Sequence, residues 1–309
     1  MKKSGRTFVI IELLLAAFAI LCIVMMVRSR STPEKKKIAV IVEDSENDIW
    51  SMLKEGTQEA AKEKNVDIRF VTTGTFENAA DEIDAVDDAV RDGCDGLLIY
   101  PVNERVVQQL KKRNYHIPVL LMITDSEYDV RSINCDPVDT GRNLAQMIID
   151  NSGSNRTIGI ITDRRYSRIV RQVKAEIDKV LKPEGYRESF IVNKADEDYI
   201  RNHRTDVLLC LDEEAITTAS SLVSENKIPG TTVYGCGFSP KDIYQLDMEN
   251  IKGLAYLDIF KVGYYGVSEI ADRVHGNLSQ PRSRTVKNRI LGKDDIFNEK
   301  NMLYTFVYK

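Results

Sequence analysis

The sequence predicts an α/β protein made of two similar halves, each a parallel sheet covered on both faces, preceded by one N-terminal transmembrane helix. Three observations carry this. Short continuous apolar runs alternate with helically spaced apolar positions, and continuous rather than alternating runs mark strands buried on both faces. The runs are too many for one open sheet, and 309 residues at about 150 per domain make two lobes. A single 20-residue apolar run stands at the N-terminus, over residues 8–27.

The first half reads in order as follows. Residues 37–42 (KIAVIV) form a buried strand. Residues 49–64 form an amphipathic helix with Ile49, Leu53, Ala60 and Ala61 on its inner face. Residues 67–71 are a second strand, and 79–91 a helix burying Ile83, Val86 and Val90. A strand at 96–100, a helix at 104–113 and a strand at 118–123 complete the half. The pattern then restarts. Strands fall at 132–135, 157–162, 189–192, 206–211, 232–235 and 254–257. Helices fall at 138–150, 168–181, 213–224, 240–245 and 260–274, the last stopped by Gly276. Extended pieces at 284–291 and 302–307 close the chain.

Residues 8–27 carry one charge, Glu12, near the start. Twenty helical residues at ~1.5 Å rise cover a hydrocarbon layer of roughly 30 Å. A cleaved signal peptide is the alternative, since Ala17-Phe18-Ala19 fits an A-x-A site. Cleavage there would leave the apolar stretch 20–27 as a new terminus, which favours an uncleaved anchor. Leu21 before Cys22 does not fit a lipid-attachment site. The expected order is a cytoplasmic tail at 1–7, the anchor at 8–27 and a linker at 28–35. Basic residues flank the span on both sides, so their count does not orient it.

The net charge of −4 argues against a nucleic-acid partner, which calls for a basic face. Hydrophobic residues make up 43% of the chain, enough to fill a core and exclude widespread disorder. The five cysteines show no C-x-x-C spacing, so neither a metal nor another cofactor is expected. Cys135, Cys210 and Cys236 read as buried apolar residues, with one disulfide among them left open. His116, His203 and His275 are scattered. Gly235 and Gly237 lack the third glycine of a dinucleotide loop, and no G-x-S-x-G elbow or phosphate loop occurs, so an enzyme is not expected.

Seven segments carry a resemblance. They are S-x-N-D-I-W-S-x-x-x-x-G-x-x-x-A-A from Ser45 and A-V-x-D-G-C-D-G-L-L-I-Y-P-x-N from Ala89. Next come I-P-V-L-L from Ile117, I-N-C-D-P-V-D-T-G from Ile133 and L-D-E-E-A from Leu211. The last are V-Y-G-C-G-F from Val233 and L-A-Y-L-D-I-F-K-V-G-Y-Y-G from Leu254. In this order the chain resembles the type I periplasmic-binding-protein family, in its sugar-binding branch, over roughly residues 36–300. The resemblance implies two lobes joined by a three-crossover hinge with a ligand cleft between them. One lobe would be 36–135 plus 259–283, the other 136–258 plus 284–309. Together with the short N-terminal tail before the apolar run, the resemblance puts the bulk of this single-pass chain outside the cytoplasm.

The resemblance implies a set of ligand contacts. Trp50 falls at the aromatic platform, where a flat ring packs against sugar C–H groups; the alternative is a core residue. Asn47 and its neighbour Asp48 would bond a hydroxyl, or one of them would cap the following helix. Asn103 has the same two readings. Asp125 matches a sugar-binding acid after a two-residue shift. Asp136 falls at a crossover, to bind ligand or organise the hinge. Arg168 offers a planar fork of donors for two ligand oxygens. Asp212 and Asp258 are the acids left beside departures from the pattern. Those departures are Leu211 for an asparagine, Gly237 for an acid and Leu257 for a glutamine. Each unmet buried hydroxyl costs about 1–3 kcal/mol, so a standard ribose or galactose site is not expected. The implied function is a membrane-anchored solute-binding protein that delivers a carbohydrate-like ligand to an ABC transporter permease. The alternative is a sensing subunit that signals to a membrane histidine kinase or chemoreceptor.

Overall fold

The computed structural model describes residues 15–21, 35–47, 50–124, 128–162, 168–276 and 281–298. Residues 1–35 form a unit separate from residues 36–309. Of the expected membrane span, residues 15–21 are helical and exposed, and the rest lies outside the described residues. Among the described residues no helix is long and apolar enough to cross a membrane.

Residues 36–309 hold two six-stranded sheets. The strands of the first are β1 (Lys36–Ile41), β2 (Val66–Phe70), β3 (Gly96–Ile99), β4 (Val119–Met122), β5 (Ser132–Cys135) and β11 (Arg284–Val286). Their order is β11-β5-β4-β3-β1-β2, and every neighbouring pair is parallel. The second sheet uses β6 (Thr157–Ile161), β7 (Arg187–Val192), β8 (Val207–Cys210), β9 (Thr232–Gly237), β10 (Gly253–Tyr256) and β12 (Arg289–Leu291). Its order is β12-β10-β9-β8-β6-β7, parallel except where β12 runs antiparallel to β10. In both sheets the strand order reverses direction after the first strand, the switch beyond whose carboxyl edge open α/β sheets bind ligands.

The helices follow from apolar spacing and caps. They are α1 (Ser51–Lys64), α2 (Ala79–Arg91), α3 (Glu104–Arg113), α4 (Pro137–Ser152) and α5 (Arg168–Leu181), then α6 (Glu197–Asn202), α7 (Glu213–Ser224), α8 (Pro240–Asp247) and α9 (Ile259–Val274). The central strands β3 and β8 are buried at every residue, as their unbroken GLLI and VLLC runs require. In the first lobe α1 and α9 pack on the sheet around Leu53, Leu98, Val262 and Ile270.

Three differences from the sequence reading stand out. α1 starts at Ser51, with Trp50 as its cap residue, rather than at residue 49. α6 is an added short helix capped by Asp196, whose side chain accepts from the Tyr199 N–H. The third is a correction to the lobe boundary: Arg284–Val286 pairs with Ile133–Cys135 in the first sheet, so the last crossover falls at 287–288 instead of 283–284. Three residues with one buried side chain carry no period, and only the open edge of β5 decides their partner. The extended piece expected at 302–307 lies outside the described residues.

Candidate ligand cleft

The chain passes between the sheets three times, after Cys135, after Tyr256 and after Val286. The turns at the carboxyl ends of β1, β3, β9 and β10 bring side chains of both lobes together. Trp50 follows β1, and Tyr100 follows β3. Phe238 follows β9, and Leu257 follows β10. The Trp50 and Tyr100 rings meet edge-on at 5.3 Å between centroids. Phe238, from the second lobe, lies 5.8 Å from Trp50 at an interplanar angle of 33°. Phe238 and Leu257 pack onto the core cluster of the first lobe. Trp50 is 5% exposed, and its Nε1 donates to the Glu43 carbonyl at 2.9 Å. It is thus buried in the core cluster of the first lobe, beside a side chain of the second.

Most of the other expected contacts are helix caps. Asn103 is exposed and its Oδ1 accepts from the N–H groups of Arg105 and Val106, at 3.0 and 3.3 Å. Asp136 caps α4, its Oδ1 accepting from Val138 and Asp139 at 3.0 Å each. Asp212 caps α7 through the Ala215 N–H at 2.8 Å. Asn47 is exposed in the loop after β1, where its Nδ2 donates to Asp44 at 3.2 Å. Asp258 caps α9 through the Lys261 N–H at 3.1 Å and is buried. Its Oδ2 pairs with Lys261 Nζ at 2.8 Å and stands 3.8 Å from Arg289 Nε. Asp125, with Asp48, lies outside the described residues. Arg168 opens α5, and its side chain lies outside them too.

Two acids on the second lobe, the partly buried Glu213 and the buried Asp242, influence one another in a way the sequence did not reveal. Burial, then the charge of Asp242, pushes the Glu213 carboxyl up to about 7. Burial pushes Asp242 up to about 6. Asp242 Oδ2 accepts from the Ser239 N–H at 3.0 Å, and the Ser239 hydroxyl faces back to the Asp242 N–H. Gly237 is required here, since a Cβ on it would lie 2.2 Å from Asp242 Oδ2. The carboxylate that fills this space belongs to the capping box of α8. The one legible signal was Phe238 itself, which ends the V-Y-G-C-G-F segment at a strand's carboxyl end. Cys94, Cys135, Cys210 and Cys236 are free thiols, and burial pushes Cys236 up to about 12. Among the described residues no cluster of three or more His, Cys, Asp or Glu could hold a metal.

Residues 38–278 match the family model described as a periplasmic binding protein domain. The chain belongs to the periplasmic binding protein family. Such proteins bind solutes and are not enzymes, and the family's name places the domain outside the cytoplasm. A search of curated sequences returns no match. Several solved structures share the fold. A glucose-galactose binding protein from Geobacillus stearothermophilus aligns with TM-score 0.72 at 20% identity, covering 86% of this chain and 100% of its own. A carbohydrate transporter solute binding protein from Agrobacterium radiobacter, in complex with D-arabinose, aligns with TM-score 0.75 at 17% identity, covering 89% and 100%. A chain of the XylFII-LytSN complex aligns with TM-score 0.70 at 17% identity, covering 85% and 100%.

Proposed function

We propose that this chain is an extracytoplasmic solute-binding protein, held to the membrane by residues 8–27, that captures a small carbohydrate-like ligand between its lobes and delivers it to an ABC transporter permease. The observation that carries the reading is Trp50 with Tyr100 at the carboxyl edge of the first sheet, facing side chains of the second. A flat aromatic face suits the C–H face of a sugar. Neighbours of this fold are named with D-arabinose, D-allose and myo-inositol. Asp136 and Asp258 stand at the crossovers, where they would steady the hinge whose motion closes the lobes, and Asn47, Asn103 and Asp212 would contribute polar contacts from the turns that follow their strands, with Asp125 and Arg168 as further ligand contacts that the family resemblance suggests.

A second reading, a sensing subunit that reports ligand occupancy to a membrane histidine kinase or chemoreceptor, is favoured by one feature. Leu257 and Phe238 line a cleft edge where a transport protein for free sugars needs polar partners. The fold likeness to the XylFII-LytSN complex agrees with it.

A thermal-shift panel of pentoses, hexoses and inositols on the full-length protein tests the common part. A ligand at 100 times its Kd adds about 2.7 kcal/mol, a rise of several degrees. A panel without any shift would remove the sugar reading. For a ligand that binds, loss of its uptake on gene deletion supports delivery, and unchanged uptake with altered kinase-dependent transcription supports sensing.

A further inference from the structure

Trp50 is the only tryptophan of the chain, and it is 5% exposed. Its cover is the chain itself. Phe238 crosses from the second lobe to lie 5.8 Å from it, and Tyr100 closes another side at 5.3 Å. The indole N–H is already used on the Glu43 carbonyl. A sugar held between two rings needs a contact of about 3.5–4.0 Å on each side, so the rings must stand about 7 Å or more apart. The observed separation leaves no such layer.

Phe238 is also held in place. It stands between Gly237 and Ser239, and both are fixed by Asp242. The carboxylate accepts from the Ser239 N–H at 3.0 Å and occupies the space a Cβ on Gly237 would need. The Leu257 N–H donates to the Gly237 carbonyl at 2.9 Å, tying the turn to the neighbouring strand end. A side chain so mounted is positioned by its turn.

We propose that Phe238 is a built-in occupant of the cleft, lying against Trp50 where a sugar would stack, so that capture requires its displacement and Phe238 sets which ligands the cleft accepts. Free sugars displace it weakly. Ligands with a broad apolar face compete better, because they replace its contact with Trp50 in kind. The proposal rests on the sugar-binding reading for its second half, while the covering of Trp50 stands apart from it.

The test has two arms on the full-length protein in mild detergent. The first is acrylamide quenching of the single tryptophan, in wild type and Phe238→Ala. We expect weak quenching in wild type and a several-fold rise in Phe238→Ala. Equal quenching in the two overturns the proposal. If Phe238→Ala does not melt cooperatively, Phe238→Leu replaces it, with a smaller rise expected and no rise again decisive against it. The second arm titrates D-arabinose, D-allose and myo-inositol. An aromatic contact worth about 0.5–1.5 kcal/mol corresponds to tighter binding by about two- to tenfold on its removal. Binding unchanged or weakened in Phe238→Ala overturns the specificity role. Raised quenching with no sugar bound by either protein upholds the cover and refutes the sugar reading instead.

Discussion

Asn103, Asp136, Asp212 and Asp258 each accept a backbone N–H at the start of a helix. In a parallel α/β lobe the helix begins just beyond the strand's carboxyl end, so cap and cleft edge are the same place. This is why short polar residues there support two readings in the sequence, and why only coordinates assign the cap. Glu213 and Asp242 show the opposite case. They lie on different helices, and nothing in their spacing announces that the charge of one acts on the other. Their raised affinities for protons have a definite sign. The folded state keeps protons that the unfolded chain has released above its ordinary carboxylate range near 4. The stability they contribute is full below that range and is lost as pH rises through about 6 and 7. Urea denaturation of wild type and Glu213→Gln at pH 5 and pH 8 checks this. The variant should gain on the wild type by about 2 kcal/mol over that interval. Parallel pH dependence in the two would show that the glutamate ionises as it does in water.

At the level of elements, helix spacing was legible nearly to the residue. α2, α3, α5 and α7 begin and end where apolar period and caps place them. Short elements were not, because α6 and β11 hold six and three residues and one buried side chain each. The α1–α9 contact shows what spacing omits. A Cβ on Gly56 would lie 2.1 Å from the Phe260 carbonyl oxygen, a backbone atom that cannot rotate away. Alanine ordinarily gains about 1 kcal/mol over glycine inside a helix. Overpacking costs about 1–3 kcal/mol and more where backbone must shift, so the clash wins. Gly56→Ala should therefore destabilise the protein by about 2 kcal/mol in urea denaturation. A neutral or stabilised variant would mean the two helices part easily.

At the scale of the whole molecule, the three crossovers are bound to one another. The Asp136 N–H donates to the Val286 carbonyl at 3.1 Å, joining the first to the third. The Asn288 side chain donates to the Thr140 hydroxyl, and Asp258 on the second faces Arg289 just past the third. The Asp258 side chain is fully buried, while Lys261 is 35% exposed. Asn caps a helix as well as Asp does, so Asp258→Asn removes the charge and keeps the cap. Breaking a buried pair costs about 3–5 kcal/mol, and Lys261 can regain water, which puts the expected loss at about 3 kcal/mol. A chemical melt reads it, and a loss under about 1 kcal/mol would show that the crossovers hold without this pair.

The sequence by itself determined the class of the fold, two α/β lobes with buried parallel strands, because burial on both faces demands unbroken apolar runs and helices declare their period locally. It also determined the family, through seven ordered segments at strand ends. Tertiary structure alone decided that β11 joins the first sheet, that four acids and amides serve as caps, and that Phe238 lies against Trp50. Those facts depend on residues far apart in the chain meeting across a sheet edge or between lobes, and such meetings leave no periodic trace along the sequence.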